Sequence, residues 1–231
     1  MLALHRVLAE REFKVEALIT TVTEGFDRIS MHGVRVDLLR EQARSLGLPL
    51  EISRIPQNAS NVIYEEAMLR SLAPFAARGI KDVICGDLYL ADIREYREKL
   101  FARVGMRGVY PLWLENTRFL AAEFIITGYR AALCCVDPKT VPEELSGREY
   151  DDALLAELPE GCDPCGENGE FHSFVYDGPI FAFPVKITRG ECVTREGFRF
   201  ADLFPTDLAL PTPELRQRRS NELGGGNSPV S

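Results

Sequence analysis

The stretch Asp163-Pro164-Cys165-Gly166-Glu167-Asn168-Gly169-Glu170-Phe171-His172-Ser173-Phe174 carries more chemistry per residue than any other part of this 231-residue chain. Gly166 and Gly169 allow positive φ and close approach of backbone to a ligand. Glu167 and Glu170 stand three apart and can converge on one site as base, proton acceptor or cation ligand. Gly, Asn and Glu are also ordinary loop residues, so on composition alone the stretch reads as a polar hairpin turn. It also separates two kinds of pattern.

Ahead of it, helix and strand alternate, which argues for a parallel α/β sheet. Leu4, Val7 and Leu8 mark one face of a first helix, and Val15 to Val22 is a β-rich apolar run. Val34, Leu38, Leu39, Ala43 and Leu46 repeat at helical spacing, with Gly47 as the C-terminal cap. Leu50 to Ile55 reads as a strand. Tyr64, Met68, Leu72 and Phe75 mark a second amphipathic helix, kinked at Pro74 and ended at Gly79. Asp82 to Cys85 is a short buried strand ending in Gly86-Asp87. Helices follow near Ile93–Phe101 and Thr117–Thr127, then a strand at Tyr129–Val136.

Beyond Pro138 a short helix at Asp151–Leu158 leads to the Glu loop. Strands are expected near Phe171–Tyr176, Phe183–Thr188, Cys192–Thr194 and Phe198–Phe200. The turns between them carry Asp177-Gly178-Pro179, Arg189-Gly190 and Glu196-Gly197, the pattern of an antiparallel cap. From Pro205 onward the prolines, the Arg216-Gln217-Arg218-Arg219 cluster and Gly224-Gly225-Gly226 read as a disordered tail. The expected division is therefore an α/β domain over 1–137, a cap region with the Glu loop over 138–204, and a tail over 205–231.

Composition sets bounds. Hydrophobic residues at 45% and charged residues at 27% fit a packed globular core. The net charge of −8 argues against a broad nucleic-acid or anionic-membrane surface. No run approaches the ~18–20 apolar residues of a bilayer span, and the first residues lack a signal-peptide pattern. The cytoplasm is the expected compartment. Cys85 and Cys134-Cys135 sit in apolar runs as small buried hydrophobes. Cys162 and Cys165 form a C-x-x-C without a second pair, an incomplete zinc site even with His172, so no metal site is assigned.

The chain resembles the diphthine–ammonia ligase family of PP-loop ATP pyrophosphatases, with its adenine-nucleotide α-hydrolase-like fold. Gly166 to His172 match the family's glycine-glutamate-x-glycine-glutamate-phenylalanine-histidine signature. Further matches, in family order from Met1 to near Pro205, are Arg28-Ile29-Ser30-Met31-His32-Gly33, Gly86-Asp87-Leu88, Arg94 with Arg97-Glu98, Pro111-Leu112-Trp113, and Gly147-Arg148-Glu149-Tyr150-Asp151. The implied fold is a Rossmann-like (HUP/PP-loop) parallel sheet lacking its first strand, with a small C-terminal α+β, antiparallel cap.

The departure from the family is at the start. Members open with a strand and an SGGKDS loop that holds the ATP phosphates at a helix N-terminus. Here Met1-Leu2-Ala3-Leu4-His5-Arg6 resembles the helix after that loop. No SGGKDS, Gly-x-Gly-x-x-Gly or Walker-type loop occurs in the sequence. Removing a central strand forfeits about five backbone hydrogen bonds per edge at ~1 kcal/mol each, comparable with a domain's whole ~5–15 kcal/mol stability. A start site placed too late is the preferred explanation, and a degenerate paralogue the rival.

Ligands of open parallel sheets bind outside the carboxyl ends of strands, which singles out Thr20–His32, Gly86–Arg97 and the Glu loop. Gly86 permits backbone approach. Asp87 reads equally as a ligand of Mg²⁺ or a ribose hydroxyl and as a helix cap. Arg94 and Arg97 share a helical face with Glu98 and read either as oxyanion contacts or as a solvated charged face. His32 reads as a nucleotide contact or a locally satisfied histidine, and Arg148 as a substrate grip or a partner of Asp151.

The resemblance implies a substrate carboxylate activated by ATP as an acyl adenylate and then amidated by ammonia, with Mg²⁺ accompanying ATP. Glu167 and Glu170 are the expected acyl-transfer residues, one accepting a proton and the other positioning ammonia, with His172 orienting one of them. His32, Gly86 and Asp87 are expected on the nucleotide; Arg94, Arg97, Arg148, Gly166, Asn168 and Gly169 on the substrate. The Asp-Pro-Cys-Gly-Glu-Asn-Gly version resembles the family's bacterial branch, which implies a carboxylate other than diphthine. A binding or scaffold protein without turnover is the alternative.

Overall fold

A computed structural model describes residues 1–25, 28–29 and 32–206. Ser30 and Met31 of the Arg28–Gly33 motif, and the expected tail beyond Thr206, lie outside the described residues. The chain is a mixed α/β protein with parallel ladders in its first half and one antiparallel sheet in its second.

The first half runs α1 (Leu2–Glu10), β1 (Leu18–Thr23), β2 (Arg28–Ile29), α2 (Val36–Leu46), β3 (Leu50–Ile55), α3 (Asn61–Ala77), β4 (Asp82–Ile84), α4 (Ala91–Ala102), β5 (Arg107–Val109) and α5 (Thr117–Ile126). In α2, Val36, Leu39 and Ala43 bury one face, and Gly47 at φ 67° closes the helix on the Ala43 and Arg44 carbonyls. Ser60 caps α3 through the Ile63 N–H, and Pro74 lies inside that helix. Parallel pairing joins β1 to β3 from Leu18↔Leu50 to Thr23↔Ile55. It joins β4 to β5 from Asp82↔Arg107 to Ile84↔Val109. Among the described residues no ladder links β1 to β4. Ile19 of β1 and Val83 of β4 still pack on one apolar cluster with Leu72, Cys85, Phe101 and Met106.

In the second half, β6 (Arg130–Val136), β7 (Phe171–Asp177), β8 (Ile187–Arg195) and β9 (Phe198–Pro205) form an antiparallel sheet in the order β7-β6-β9-β8. This sheet takes β6 from ahead of residue 138. Strand alternation sends Phe171 and Val175 to a cluster with Leu2, Leu120 and Leu133. Phe174 and Tyr176 face a second cluster with Val22, Val34 and Leu38. The short α6 (Asp152–Glu157) begins at Asp151, whose carboxylate accepts the Leu154 N–H at 2.8 Å.

Three local expectations fail. Phe183–Lys186 is not strand, because buried Ser45 of α2 takes both polar groups of Phe183: its hydroxyl donates to the Phe183 carbonyl and accepts the Phe183 N–H. Arg189-Gly190 is not a turn but part of a bulge within β8, where an added Cβ at Gly190 would stand 3.0 Å from the Phe204 ring and 3.2 Å from the Asp202 carbonyl. Pro205 ends β9 rather than opening a tail, and Thr206 still donates to the Lys186 carbonyl at 3.1 Å.

Candidate active site

The Glu loop is two consecutive turns, with Gly166 N–H on the Asp163 carbonyl at 2.9 Å and Gly169 N–H on the Gly166 carbonyl at 3.0 Å. Gly166 has φ 70°, and a Cβ there would meet the Phe171 carbonyl at 2.6 Å, so only glycine fits. Tyr150 ties the loop down by donating to the Pro164 carbonyl at 2.6 Å.

The two glutamates face different ways. Glu170 is buried and turned back into its own loop, accepting Asp163 N–H at 3.0 Å, Asn168 N–H at 3.0 Å and Asn168 Nδ2 at 2.9 Å. Burial pushes its carboxyl up, but these hydrogen bonds outweigh burial and hold it below the usual carboxylate range. Glu167 instead reaches across the molecule to accept the Leu88 N–H at 2.7 Å, just past the carboxyl end of β4. For Glu167 burial wins over the N–H groups of Leu88 and Tyr89, and its carboxyl lies above the usual range.

Glu167 lines a cavity of about 190 Å³ together with Leu2, Ala3, Gly86, Leu88 and Ser173. The first turn of α1 therefore opens onto it, with backbone N–H groups that find no acceptor within the helix and no side-chain cap. A larger open groove of about 580 Å³ between α2 and Phe183–Lys186 holds none of the expected site residues, so size does not locate the site.

The other expected residues separate. Asp87 is paired with Arg97 at 2.9 Å and does not cap α4, whose N-cap is Leu90. Arg94 stacks on Tyr110 and Trp113, and Glu98 accepts the Gly108 N–H at 3.3 Å, so Arg94, Arg97 and Glu98 have three separate jobs. Arg148 is bound at both nitrogens to Glu157 at 3.1 Å, not to Asp151. His172 projects from the face of β7 opposite Ser173, and its ring lies 4.2 Å from that of His32. Among the described residues it bonds to neither glutamate carboxylate. Burial first, and His32 second, push His172 down to about 4.

Three contacts were not legible as site features. Tyr89 donates to Asp163 at 2.7 Å, while Asp163 also accepts the Cys165 N–H at 2.7 Å, so the Gly86–Tyr89 loop and the Glu loop are joined twice. Asp202 of β9 receives Arg35 at two nitrogens, 3.0 and 2.6 Å, and Arg28 at 2.9 Å. At Gly33 (φ 68°) an added Cβ would stand 2.7 Å from the Phe200 ring. These contacts seat the segment carrying His32 against the antiparallel sheet. Cys162 and Cys165 are free thiols that burial pushes up to about 11 and about 12, away from thiolate reactivity.

Family models extend this picture across the chain. The diphthamide synthase N-terminal domain matches residues 1–108 and the diphthamide synthase C-terminal domain matches residues 116–202. The chain belongs to the diphthamide synthase family. A curated relative, diphthine–ammonia ligase of Bos taurus, is 28% identical over 148 residues, covering 58% of this chain. The chain spans 55% of the length of that relative. Within the family match, Gly86–Leu88 falls in the N-terminal domain and the Glu loop in the C-terminal domain, so the Glu167–Leu88 hydrogen bond joins the two. No helix among the described residues is long and apolar enough to cross a membrane.

Proposed function

We propose that this chain carries the acyl-transfer half of an ATP-dependent carboxylate–ammonia ligase of the diphthine–ammonia ligase type, on a Rossmann-like PP-loop fold. The observation that carries the reading is Glu167: a half-buried carboxylate with a raised pKa, set in a cavity between the start of α1 and the carboxyl end of β4. ATP enters as co-substrate. A substrate carboxylate oxygen attacks its α-phosphorus, releasing pyrophosphate and leaving an acyl adenylate. The ammonia nitrogen then bonds to the acyl carbon, the bond from that carbon to the AMP oxygen breaks, and a proton leaves the nitrogen for Glu167. A base pKa raised toward neutrality suits that transfer. Glu170, saturated by its own loop, holds Glu167 in place.

The phosphates belong at the first turn of α1, where free N–H groups and the helix dipole favour an anion. The residues present supply no glycine-rich cradle; β1 lies between β2 and β3, and among the described residues β4 pairs with β5 alone. For Mg²⁺ the fit is poor: among the described residues no group of three or more His, Cys, Asp or Glu can hold a metal, and Asp87 is committed to Arg97. The compartment this reading implies is the cytoplasm.

The test is expression of the frame extended upstream of Met1, followed by AMP formation with ATP, ammonium and candidate carboxylates. Carboxylate-dependent AMP formation that falls in Glu167→Gln supports the reading; equal rates in the two proteins overturn it. The lack of a glycine-rich phosphate cradle in this sequence favours one second reading, a binding protein that retains the acid pocket without turnover. Pyrophosphate release by the 231-residue chain itself would exclude that reading.

A further inference from the structure

The stack at Arg94 has no place in the acyl-transfer step. The guanidinium carbon lies 4.6 Å from the ring centroids of both Tyr110 and Trp113. Those rings meet edge to face, 5.9 Å apart at 63°, so the guanidinium sits in the angle between them. Such contacts hold a cation's flat face and leave the N–H edges of the fork available. Among the described residues, none accepts a hydrogen bond from the Arg94 guanidinium or forms an ion pair with it, whereas Arg97, one turn on, is committed to Asp87.

The stack is built rather than incidental. Tyr110 follows β5 directly, and its ring occupies the space a side chain at Gly108 would need: a Cβ there would stand 2.4 Å from the Tyr110 hydroxyl. Arg94 lies in the first turns of α4, after the carboxyl end of β4. Both groups therefore stand at the edge of parallel strands where ligands bind. The stack also shares a loop pair with the Glu167 cavity. Leu88 gives its N–H to Glu167 and receives the Leu114 N–H on its carbonyl, both at 2.7 Å. Leu112 lines the cavity, and its neighbour Trp113 turns out to Arg94.

We infer that Arg94, held by Tyr110 and Trp113, is the anchor for an oxyanion, carboxylate or phosphate, borne by the substrate at a distance from the group that is activated. The role of substrate anchor rests on the ligase reading, but oxyanion binding does not. A planar fork with free donors recognises both groups bidentately.

Trp113 is the sole tryptophan, so its emission reports on this stack alone. The 231-residue protein is titrated at constant ionic strength with inorganic phosphate in one arm and glutarate in the other, with chloride as the control. A saturable emission change is expected with at least one probe and not with chloride. A response to phosphate alone assigns a phosphoryl-bearing ligand, and a response to glutarate alone a carboxylate. Arg94→Gln should weaken binding at least tenfold while its melting temperature stays close to that of the parent. Should Arg94→Gln fail to fold, Arg94→Lys keeps the charge but not the fork and should still bind several-fold more weakly. No saturable change with either probe, or equal affinity in the variant that folds, overturns the inference. An active Glu167→Gln enzyme would sink the ligase reading and leave this titration untouched.

Discussion

Glu167 accepts the main-chain N–H of Leu88 at 2.7 Å across 79 positions of sequence. Glu170, three residues on, spends both its oxygens on Asp163 and Asn168 of its own loop. Two glutamates that look equivalent in sequence therefore have separable roles.

Glu167→Gln keeps an oxygen to accept Leu88 N–H but removes the basic site. In an upstream-extended, active enzyme, amide formation should fall by ~10²–10⁴-fold. Nucleotide affinity and melting temperature should stay close to the parent's. Parallel losses of activity and melting temperature would instead make the carboxylate a structural group.

Glu170→Gln should act on stability first. Its neutral amide offers one acceptor oxygen where the carboxylate has two, so a buried N–H of the loop loses its partner at a cost of about 1–3 kcal/mol. The pH dependence carries a sign. Glu170 is held below the unfolded value of ~4.3, so its stabilisation is present above that pH and lost as pH falls through the folded value. Urea midpoints at pH 7 and below pH 4 should differ more in the parent than in Glu170→Gln.

Much of the architecture is legible in local pattern, and the exceptions have a common cause. The strand Leu50–Ile55 and the helix Thr117–Ile126 were readable because the spacing of their apolar residues declares itself within a few positions. Phe183–Lys186 has a strand's composition, but the N–H and carbonyl of Phe183 are taken by Ser45, 138 positions away. Gly190 reads as a turn, yet the approach of β9 makes it a bulge. The site follows the same rule. The Glu loop could be read from its glycines, whereas the reach of Glu167 to Leu88, the Arg148–Glu157 pair and the Asp202 clamp depend on which elements meet in space.

That clamp makes a contrast between ion pairs testable. Burial pushes the Asp202 carboxyl up, but Arg35 and Arg28 outweigh it and hold the group below the usual range. Asp202→Asn removes the shared anion from two partly buried guanidinium groups and should cost about 1–3 kcal/mol. Asp37→Asn breaks a pair in which both side chains are more than half exposed, at 58% and 59%, and should cost under ~1 kcal/mol. Equal urea midpoints for the two variants would show that Asp202 contributes no more than a surface charge.

His172 gives the last prediction, a loss of stability in mild acid. Partly buried beside His32, it is pushed down to about 4 in the folded protein, while an unfolded histidine titrates near ~6.5. Between those values the unfolded chain binds the proton and the folded chain does not, so stability falls as pH drops from about 6.5 toward 4. Above pH 7 both states are neutral, and the histidine adds no pH dependence. His172→Gln keeps a planar polar side chain that does not titrate in this range. Denaturant unfolding at pH 7, 6 and 5 should therefore give a shallower decline in the variant than in the parent, with the gap widening toward pH 5. Parallel declines would mean that His172 takes up its proton in the folded state as readily as in the unfolded one, and that the His32 contact does not hold it neutral.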